Sequence, residues 1–279
     1  MSLKNKIKDL INRFAANLFT ATITQHTNSG SNEAPSVGLI AIMKNESLNI
    51  REWVDHYYWQ GVDKIFLIDN GSDDNSLSLI QEDIESGRIE YFWSPERHQQ
   101  VRHYRRIYGT AKIKSKVDWL VIADLDEFWF SPLGNLKAAI LNIDADADLV
   151  YTNWTVFGSS GFINHPSSIR RELIYRHPQM SGHCNTKWIC RTRSIKNASM
   201  IGNHKVNGVD SRRVVSDNEL FKLNHYLIQS LYYFQEIKMT RGDVAKEHLD
   251  TIRTIDYFEA FDRAATVRDE TLAKMIQTS

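Results

Sequence analysis

The chain is poor in cysteine: only Cys184 and Cys190 occur among its 279 residues. Two thiols are too few for a disulfide scaffold, and they lack the spacing and the companion ligands of a zinc site. A reducing compartment fits this composition best. The sequence therefore predicts a cytoplasmic protein without structural disulfides or zinc.

An excess of charge of either sign is also absent, since Lys+Arg and Asp+Glu both number 34. A neutral chain has no global field that attracts nucleic acid or an anionic membrane. Any affinity for phosphate must come from a local cluster of cations. No nucleic-acid partner is expected.

Long apolar runs are missing as well: none approaches the roughly 20 residues that cross a bilayer, and the N-terminus has no signal core. Residues 3–19 nevertheless place apolar side chains at helical spacing, with basic residues elsewhere on the wheel. This segment is a candidate for peripheral membrane contact. The alternative is a helix that docks on its own domain or on another subunit.

The composition, 42% hydrophobic and 11% aromatic, is sufficient for a substantial core. A polar stretch rich in Ser, Asn and Gly separates the N-terminal segment from the rest and is typical of a linker. The predicted organisation is an amphipathic helix at 1–23, a linker at 24–35, a catalytic domain at 36–243 and a helical extension at 244–279.

Alternating apolar runs and helical patterns predict an α/β fold with a mostly parallel central sheet and helices on both faces. The predicted strands begin at 37, 64, 88 and 119, with helices between them near 50–61, 75–86 and 99–116. Shorter β-like runs follow at 149–157, 171–175, 186–191 and 220–223. Two helices are predicted at the end of the chain, at 228–239 and 244–274.

The most informative motif is Asp124-x-Asp126, which follows an apolar run that begins at Trp119. If the strand continues through the motif, both aspartates point the same way and Glu127 starts on the opposite face. Two such carboxylates repel each other unless a cation intervenes, and a divalent ion, Mn²⁺ or Mg²⁺, suits them. The alternative is a pair of solvated carboxylates at a strand end.

Two other polar clusters follow predicted strands, Lys44-Asn45-Glu46 and Asp69-Asn70-Gly-Ser-Asp-Asp74. Ligands collect at the carboxyl ends of the strands in sheets of this type. The three clusters therefore predict one binding edge, where Asp69 accepts hydrogen bonds from a nucleobase or ribose. A simple turn is the alternative for the cluster at Asp69, because Asn-Gly and Asp favour turns.

Basic residues and histidines complete the set of candidates. Arg102, Arg105 and Arg106 share one face of a predicted helix and either neutralise a diphosphate or form a solvated basic face. His225 ends a β-like run and is the favoured third metal ligand, with His204 and His183 as weaker alternatives. A lone histidine is more often structural.

In this order the motifs resemble glycosyltransferase family 92, within the glycosyltransferase family 2-like group, over roughly residues 37–243. The resemblance also includes Asn153-Trp154, Lys187-Trp-Ile-Cys-Arg191, Asn224-His225-Tyr226, Ser230, Lys238 and Arg241. One departure is Gln229 before Ser230, where relatives often carry lysine.

The resemblance implies a GT-A fold, a nucleotide-diphosphate sugar donor, with a UDP-sugar favoured, and a metal held by Asp124, Asp126 and His225. The implied enzyme is a metal-dependent glycosyltransferase of polysaccharide biosynthesis whose acceptor is a glycan or a lipid-linked saccharide. The residues expected to bind the nucleotide sugar are Lys44, Asn45, Glu46, Asp69, Asn70, Asp74, Arg102, Asp124, Asn153, Trp154 and Lys238.

Family 92 enzymes invert the anomeric carbon, which requires a general base. Glu127, Asp210 and Asp217 are the candidates, and the sequence does not choose among them. Trp129, Trp154, Phe157 and Trp188 offer apolar faces for sugar rings or pack in the core. A nucleotidyltransferase and a noncatalytic nucleotide- or carbohydrate-binding protein are the competing functions, although the Gly-rich basic loop typical of the former is absent.

Overall fold

The computed structural model describes residues 34–181 and 185–277, and within them the chain forms an α/β fold. The strands are β1 Val37–Met43, β2 Lys64–Asp69, β3 Ile89–Trp93, β4 Trp119–Ile122, β5 Glu127–Phe130, β6 Leu149–Asn153, β7 Thr155–Val156, β8 Tyr175–Arg176, β9 Thr186–Arg191, β10 Val214–Ser216, β11 Lys222–His225 and β12 Val267–Arg268. The α-helices are α1 Ile50–Trp59, α2 Gln81–Glu85, α3 Gln100–Thr110, α4 Leu136–Asn142, α5 Ile169–Glu172, α6 Leu231–Tyr233, α7 Ile255–Ala264 and α8 Thr271–Gln277. A π-helical segment, Phe234–Lys238, continues α6.

Seven strands form the main sheet in the order β10-β6-β9-β4-β1-β2-β3. All neighbours are parallel except β9, which runs antiparallel to both β6 and β4. The prediction of a mostly parallel central sheet is therefore confirmed. Because six strands share one direction, their carboxyl ends lie along a single edge.

Helices cover both faces of this sheet because its strands are apolar on both sides. Every residue of β1 is buried, the pattern expected of a strand between two layers. Leu39 and Ala41 belong to one core cluster and Ile40 and Ile42 to the other. Helix α1 packs in the first cluster and α3 in the second. Successive side chains of β1 point to opposite faces of the sheet, and this alternation separates the two layers.

Two smaller sheets extend the structure beside the main one. In the first, β11 pairs antiparallel with β5 and parallel with β7, which sets His225 opposite Glu127. In the second, β12 pairs antiparallel with β8. Leu272 of α8 is 2% exposed and belongs to the same core cluster as β1, so the C-terminal residues pack on the body of the fold.

Three local predictions are wrong. Strand β4 ends at Ile122, so Asp124 and Asp126 lie in a turn instead of a strand. The predicted β-run at 171–175 holds the last two residues of helix α5 and only the first residue of β8, and the predicted helix at 244–274 is divided by β12, which pairs with β8. The predicted helix at 228–239 is present at residues 231–238, as α6 and the π-helical segment that continues it.

None of the helices in the described ranges has the length and apolar character needed to span a bilayer. The predicted membrane-contact segment at 3–19 and nearly all of the predicted linker lie outside the described residues, as do Cys184 and His183.

Candidate active site

The carboxyl edge of the main sheet gathers most of the polar residues that the sequence singles out. The register pairs Met43 with Asp69, so the segments after β1 and β2 leave the sheet side by side. Strand β4 is the other neighbour of β1 and leads into Asp124 at the same edge. Three candidate clusters therefore lie next to one another, as the order of parallel strands requires.

Asp124 is held by contacts from both faces of the sheet. Its backbone carbonyl accepts a hydrogen bond from Trp53 Nε1 of α1 at 3.0 Å. On its side chain, Oδ1 accepts from Gln100 Nε2 of α3 at 3.2 Å, and Oδ2 accepts from Lys187 Nζ at 2.8 Å. Both carboxylate oxygens are therefore engaged by the protein itself.

Glu127 belongs to the same charged cluster and does not point to the opposite face. Its Oε2 accepts a hydrogen bond from the Asp124 N–H at 2.9 Å and lies 3.6 Å from Lys187 Nζ. The expectation that Glu127 starts on the far side is wrong because the strand has already ended, and the turn folds Glu127 back. Within the described part of the chain, Oε1 is buried without a hydrogen-bond partner.

Asp126 pairs with residues from β11 and from the π-helical segment. Lys238 Nζ donates a hydrogen bond to Oδ2, and His225 Nε2 lies 3.5 Å from Oδ1. The Tyr226 N–H also donates to the Asp126 carbonyl at 2.8 Å. Asp126, His225 and Lys238 are each less than 10% exposed, so this cluster is largely shielded from water.

Burial and pairing shift the pKa values of these groups in different directions. Burial alone raises the pKa of Asp126, but the Lys238 ammonium and His225 outweigh it and hold this pKa well below its ordinary value. Burial raises the pKa of Glu127 well above its ordinary value, against the opposing effect of Lys187. Burial lowers the pKa of Lys187, but Asp124 and Glu127 more than reverse that effect.

A second buried ion pair joins the segment after β1 to the end of the π-helical segment. Arg241 Nη1 donates to Glu46 Oε1 and also to the Lys44 carbonyl, the latter at 2.8 Å. Tyr233 Oη donates to Glu46 Oε2 at 2.9 Å. Glu46 is 2% exposed, so it fixes the position of the loop, and its neighbours Lys44 and Asn45 remain at the surface of the edge.

The segment after β2 is an internally hydrogen-bonded loop. Asp69 accepts from the Ser72 N–H at 2.8 Å and from Tyr91 Oη at 2.9 Å. Asn70 donates to the Ser94 carbonyl at 2.7 Å, and Asp74 accepts from the Ser47 N–H at 2.9 Å. Each of these side chains shapes the loop, so the turn interpretation explains their contacts within the protein.

The predicted basic face on α3 is divided among different partners. Arg105 donates to the Ile201 carbonyl at 2.8 Å and Arg106 to Ser94 Oγ at 2.5 Å, while Arg102 is exposed. Asn153, at the end of β6, donates to the Ser181 carbonyl at 2.7 Å. The Trp154 ring contacts the rings of His225 and His204, with centroid distances of 4.3 and 5.4 Å.

The other candidate aromatic faces are not available to a ligand. Trp129, Phe157 and Trp188 are all no more than 2% exposed, and two of them bond to backbone carbonyls through their indole N–H groups. Core packing is therefore their role, and Trp154 is the aromatic residue of this set that borders the charged cluster.

The three candidate bases occupy different positions. Glu127 is fully buried. Asp210 precedes β10 and pairs with Arg212, which places it at the amino edge of the sheet, away from the acidic cluster. Asp217 follows β10 at the carboxyl edge, where Oδ1 accepts three backbone N–H groups, from Glu219, Leu220 and Phe221.

Lys187 is the main contributor that the sequence left without a role. The register Val121 to Ile189, continued by two residues, sets Lys187 opposite Ala123, immediately before Asp124. A lysine flanked by buried residues in a central strand is a signal for a buried counter-charge, because lysine is almost never fully buried unless it is paired. The partner of Lys187 could not be named without the antiparallel pairing of β9.

Two of the three predicted metal ligands lie close together in the cluster. Asp126 Oδ1 and His225 Nε2 are 3.5 Å apart, a separation that lets a carboxylate and an imidazole share one ion. Asp124, the other predicted ligand, has both carboxylate oxygens engaged by Gln100 and Lys187. Within residues 34–181 and 185–277, no group of three His, Cys, Asp or Glu side chains is arranged to hold a metal, so the predicted ligand set stays a prediction.

Comparison with known proteins assigns this arrangement to a family. Residues 40–255 match the model of glycosyltransferase family 92. A family 92 protein of Arabidopsis thaliana is 30% identical over 125 residues, covering 41% of this chain and 20% of the relative. One of Ricinus communis is 24% identical over 212 residues, covering 71% of this chain and 36% of the relative. The chain thus spans well under half the length of these curated relatives.

Solved structures with a similar chain path include two glycosyltransferases. A mannosyltransferase of Pyrobaculum calidifontis, in complex with GDP-Man and Mn²⁺, is 17% identical with a TM-score of 0.38, and the match covers 75% of this chain and 64% of that one. S. aureus TarS, in complex with UDP-GlcNAc, is 12% identical with a TM-score of 0.43, and the match covers 83% and 73%. The assignment to a family therefore rests on the sequence match.

Proposed function

The chain belongs to glycosyltransferase family 92, and from that premise we propose that it transfers a sugar from a nucleotide-diphosphate sugar to a hydroxyl of a glycan or a lipid-linked saccharide. The observation that carries the proposal is the charged cluster at the carboxyl end of β4, in which Asp126 meets both Lys238 and His225. A UDP-sugar is the favoured donor. Family membership supports glycosyl transfer over nucleotidyl transfer or binding without turnover.

The proposed donor site follows the carboxyl edge of the sheet. The loops after β1 and β2 would receive the nucleoside, with the exposed part of Lys44-Asn45 on one side and the loop at Asp69 to Asp74 on the other. Lys238 would lie near the diphosphate, because its ammonium is held by Asp126 at the end of the π-helical segment. π-Helical turns are often found at functional sites.

Asp126 and His225 would hold the divalent cation, which when bound would neutralise negative charge that develops on the leaving diphosphate. Lys187 holds the Asp124 carboxylate in place through a 2.8 Å contact. Glu127 braces the turn through its bond to the Asp124 N–H. Because the protein offers two ligands, Mn²⁺ would bind more tightly in the presence of nucleoside diphosphate than alone.

We propose Asp217 as the carboxylate that accepts the proton of the acceptor hydroxyl in an inverting displacement. Glu127 is sealed from the acceptor by burial, and Asp210 lies at the other edge of the sheet. Asp217 follows β10, three strand positions from β4, which corresponds to about 14 Å at the ~4.8 Å spacing of strands. A sugar and its acceptor would occupy that interval.

The acceptor would approach over the surface formed by the loop after β7 and by helix α6, where Ile163 and Tyr232 are 69% and 49% exposed. The Tyr232 N–H donates to the Ile163 carbonyl at 2.9 Å, so the two side chains belong to one surface. An exposed aromatic ring beside an aliphatic side chain suits the apolar face of a sugar or a lipid-linked carrier.

Hydrolysis of nucleotide sugars in the presence of Mn²⁺ tests the proposal. We expect release of nucleoside diphosphate from one donor by the wild type and at least a hundredfold slower release, on the order of 3 kcal/mol of lost stabilisation, by Asp126→Asn. Asp210→Asn is the matched control and should retain the wild-type rate. Equal rates for wild type and Asp126→Asn would contradict the proposed site.

A thermal-shift panel tests the metal separately from turnover. The melting temperature should rise more with UDP and Mn²⁺ together than with either alone, since a ligand of the native state stabilises it by mass action. His225→Gln should abolish the additional rise caused by Mn²⁺. A rise with UDP that is identical with and without Mn²⁺ would exclude the proposed metal dependence.

A further inference from the structure

A cavity of about 390 Å³ lies at the amino edge of the main sheet, away from the charged cluster described above. We call it the distal cavity, and its polar lining residues are Asp148, Arg193, Ser194, Lys196, Asp210 and Arg213. Asp148 directly precedes β6, and Arg213 directly precedes β10, which is parallel to β6. Both therefore mark the starts of parallel strands.

One buried carboxylate organises the cations around the distal cavity. Asp148 is 4% exposed. It pairs with Arg213 through both guanidinium Nε and Nη2, with Arg191 at 3.3 Å and with Arg193 at 3.4 Å. Ser194 Oγ adds a hydrogen bond of 2.7 Å. The arrangement gives three guanidinium groups to a single carboxylate.

The positive charge around the cavity exceeds what its carboxylates neutralise. Arg212 adds a fourth guanidinium, paired with Asp210, and the exposed Lys196 adds an ammonium. Burial and then repulsion from Arg193, against the attraction of Asp148, lower the pKa of Arg191. Asp118 and Asp146 offset part of the charge of Arg191 and Arg213, and the lining itself keeps three cations against two carboxylates.

We propose that the distal cavity binds a phosphate monoester carried on a small polar molecule. Guanidinium groups recognise phosphate through paired N–H donors, and an excess of cations favours a dianion over a single carboxylate. Arg213 directs Nε and Nη2 at Asp148, while Arg193 and Lys196 remain accessible at the mouth of the cavity. The exposed fraction of the Arg193 side chain is 65%.

The volume of the distal cavity limits the size of the ligand that it can hold. Small-molecule sites occupy about 300–1,000 Å³, so a cavity of about 390 Å³ exceeds a bare phosphate and suits a phosphorylated group of roughly monosaccharide size. The source of the phosphate is either a soluble sugar phosphate or a lipid headgroup. Neither alternative depends on the proposed glycosyl transfer.

Thermal unfolding of the full chain with glucose 6-phosphate as the probe tests the proposal, with glucose as the neutral comparison. The melting temperature should rise with glucose 6-phosphate and not with glucose. Arg193→Gln and Lys196→Gln should each weaken the apparent affinity about tenfold, and the double variant should lose the rise. Arg213 is left intact because it holds buried Asp148.

Arg263→Gln is the matched control, since it removes one positive charge from a guanidinium that is 82% exposed on α7, and it should keep the full rise. Asp126→Asn should keep it too, which separates this site from the donor site. The proposal is overturned if the double variant binds the probe as the wild type does.

Sedimentation with phosphatidylcholine vesicles that contain phosphatidic acid distinguishes the two sources. Binding to these vesicles that is lost in the double variant would identify a lipid headgroup, and a response to glucose 6-phosphate alone would identify a soluble sugar phosphate. Both results support a phosphate monoester site. A failure of both probes would overturn the proposal and leave the test of glycosyl transfer unaffected.

Discussion

Lys187 and Lys238 place two buried ammonium groups among three carboxylates at the end of β4. Such pairs are not a simple gain in stability, because removing each charge from water has a cost similar in size to the attraction recovered. Deleting one partner is different, since the other charge then remains buried and uncompensated. The charges of this site therefore depend on one another for the stability of the fold as well as for chemistry.

Replacement of Lys187 by methionine should destabilise the protein by about 3–5 kcal/mol, the range for breaking a buried ion pair from one side. The loss would leave the Asp124 carboxylate without the ammonium that pairs with it at 2.8 Å. Urea denaturation gives the free energy of unfolding. Lys205→Met, at an exposed position of the neighbouring turn, should change it by less than about 0.5 kcal/mol. Similar values for the two variants would refute the role of Lys187.

Cys190 is buried in β9, and burial raises the pKa of its thiol to about 12. The thiolate is the reactive form, so native Cys190 should be nearly inert at pH 8. In a Cys184→Ser background, a chromogenic disulfide reagent should label no thiol in the native protein and one thiol after denaturation in urea. Rapid labelling without urea would show that the strand opens readily.

For single residues, the sequence identifies the acidic and histidine side chains of the site better than it identifies the residues that pair with them. Asp126 and His225 lie 3.5 Å apart because β11 pairs with β5, and their predicted role as metal ligands stays a prediction. The placement of Lys187 depends on an antiparallel strand from a distant part of the chain. The roles of the predicted nucleotide-binding residues stay predictions, since their present contacts are within the protein.

Among the secondary-structure elements, the contact between α7 and the segment after β7 is unusually close. A Cβ atom added to Gly158 would lie 2.5 Å from Ala265 Cβ and 2.9 Å from Asp262 Oδ1. The alanine methyl group cannot rotate away, so either the helix end or the loop must move. Asp262 also accepts a hydrogen bond from the Ser159 N–H at 2.7 Å, which ties the two elements together.

Gly158→Ala should therefore destabilise the protein by about 1–3 kcal/mol, as overpacking does. Gly109→Ala is a control of opposite sign. Gly109 is in α3, and no atom of the part of the chain that the structure describes lies within 4 Å of the added methyl group, so the substitution should stabilise the protein by about 0.5–1 kcal/mol. Both are read from thermal or urea unfolding. Adding Ala265→Gly to Gly158→Ala should recover part of the loss, and no recovery would count against the proposed clash.

The elements with strong periodicity are the ones that sequence reasoning places well. The sequence predicts strand β1 because its residues are continuously apolar, and it predicts helix α1 because apolar residues recur there at helical spacing. The turn at Asp124 and the π-segment have no comparable signature, since each is fixed by side-chain contacts with other parts of the fold. The charged residues converge at the turn Asp124 to Glu127, where local prediction fails, and at Phe234 to Lys238, where it gives a helix but not the π type.

For the molecule as a whole, the ionisation of Asp148 makes the free energy of unfolding depend on pH. A comparison with the Asp148→Asn variant separates this contribution from those of the other titratable groups. Burial opposes ionisation, but hydrogen bonds from Arg213 and Ser194 outweigh it and lower the pKa of Asp148 to about 2. A carboxyl with a lowered pKa in the folded state contributes stability above its unfolded value, about 4, and loses it as the pH falls toward 2.

The difference in unfolding free energy between wild type and Asp148→Asn should therefore be constant above about pH 5 and should shrink as the pH decreases toward 2. Urea titrations at a series of pH values measure it. A difference that grows on acidification would contradict the assigned direction of the shift.

Strand β9 also sets the order in which the sheet can be completed during synthesis. It is made after both of its neighbours, and within the described residues β4 and β6 have no other partner on the sides that it joins. Until Arg191 has been translated, the apolar Trp119–Ile122 strand presents open backbone donors and acceptors along that side, as an unprotected edge does. We therefore expect the newborn chain to be aggregation-prone until β9 inserts, and a chaperone that masks strand edges to act in that interval.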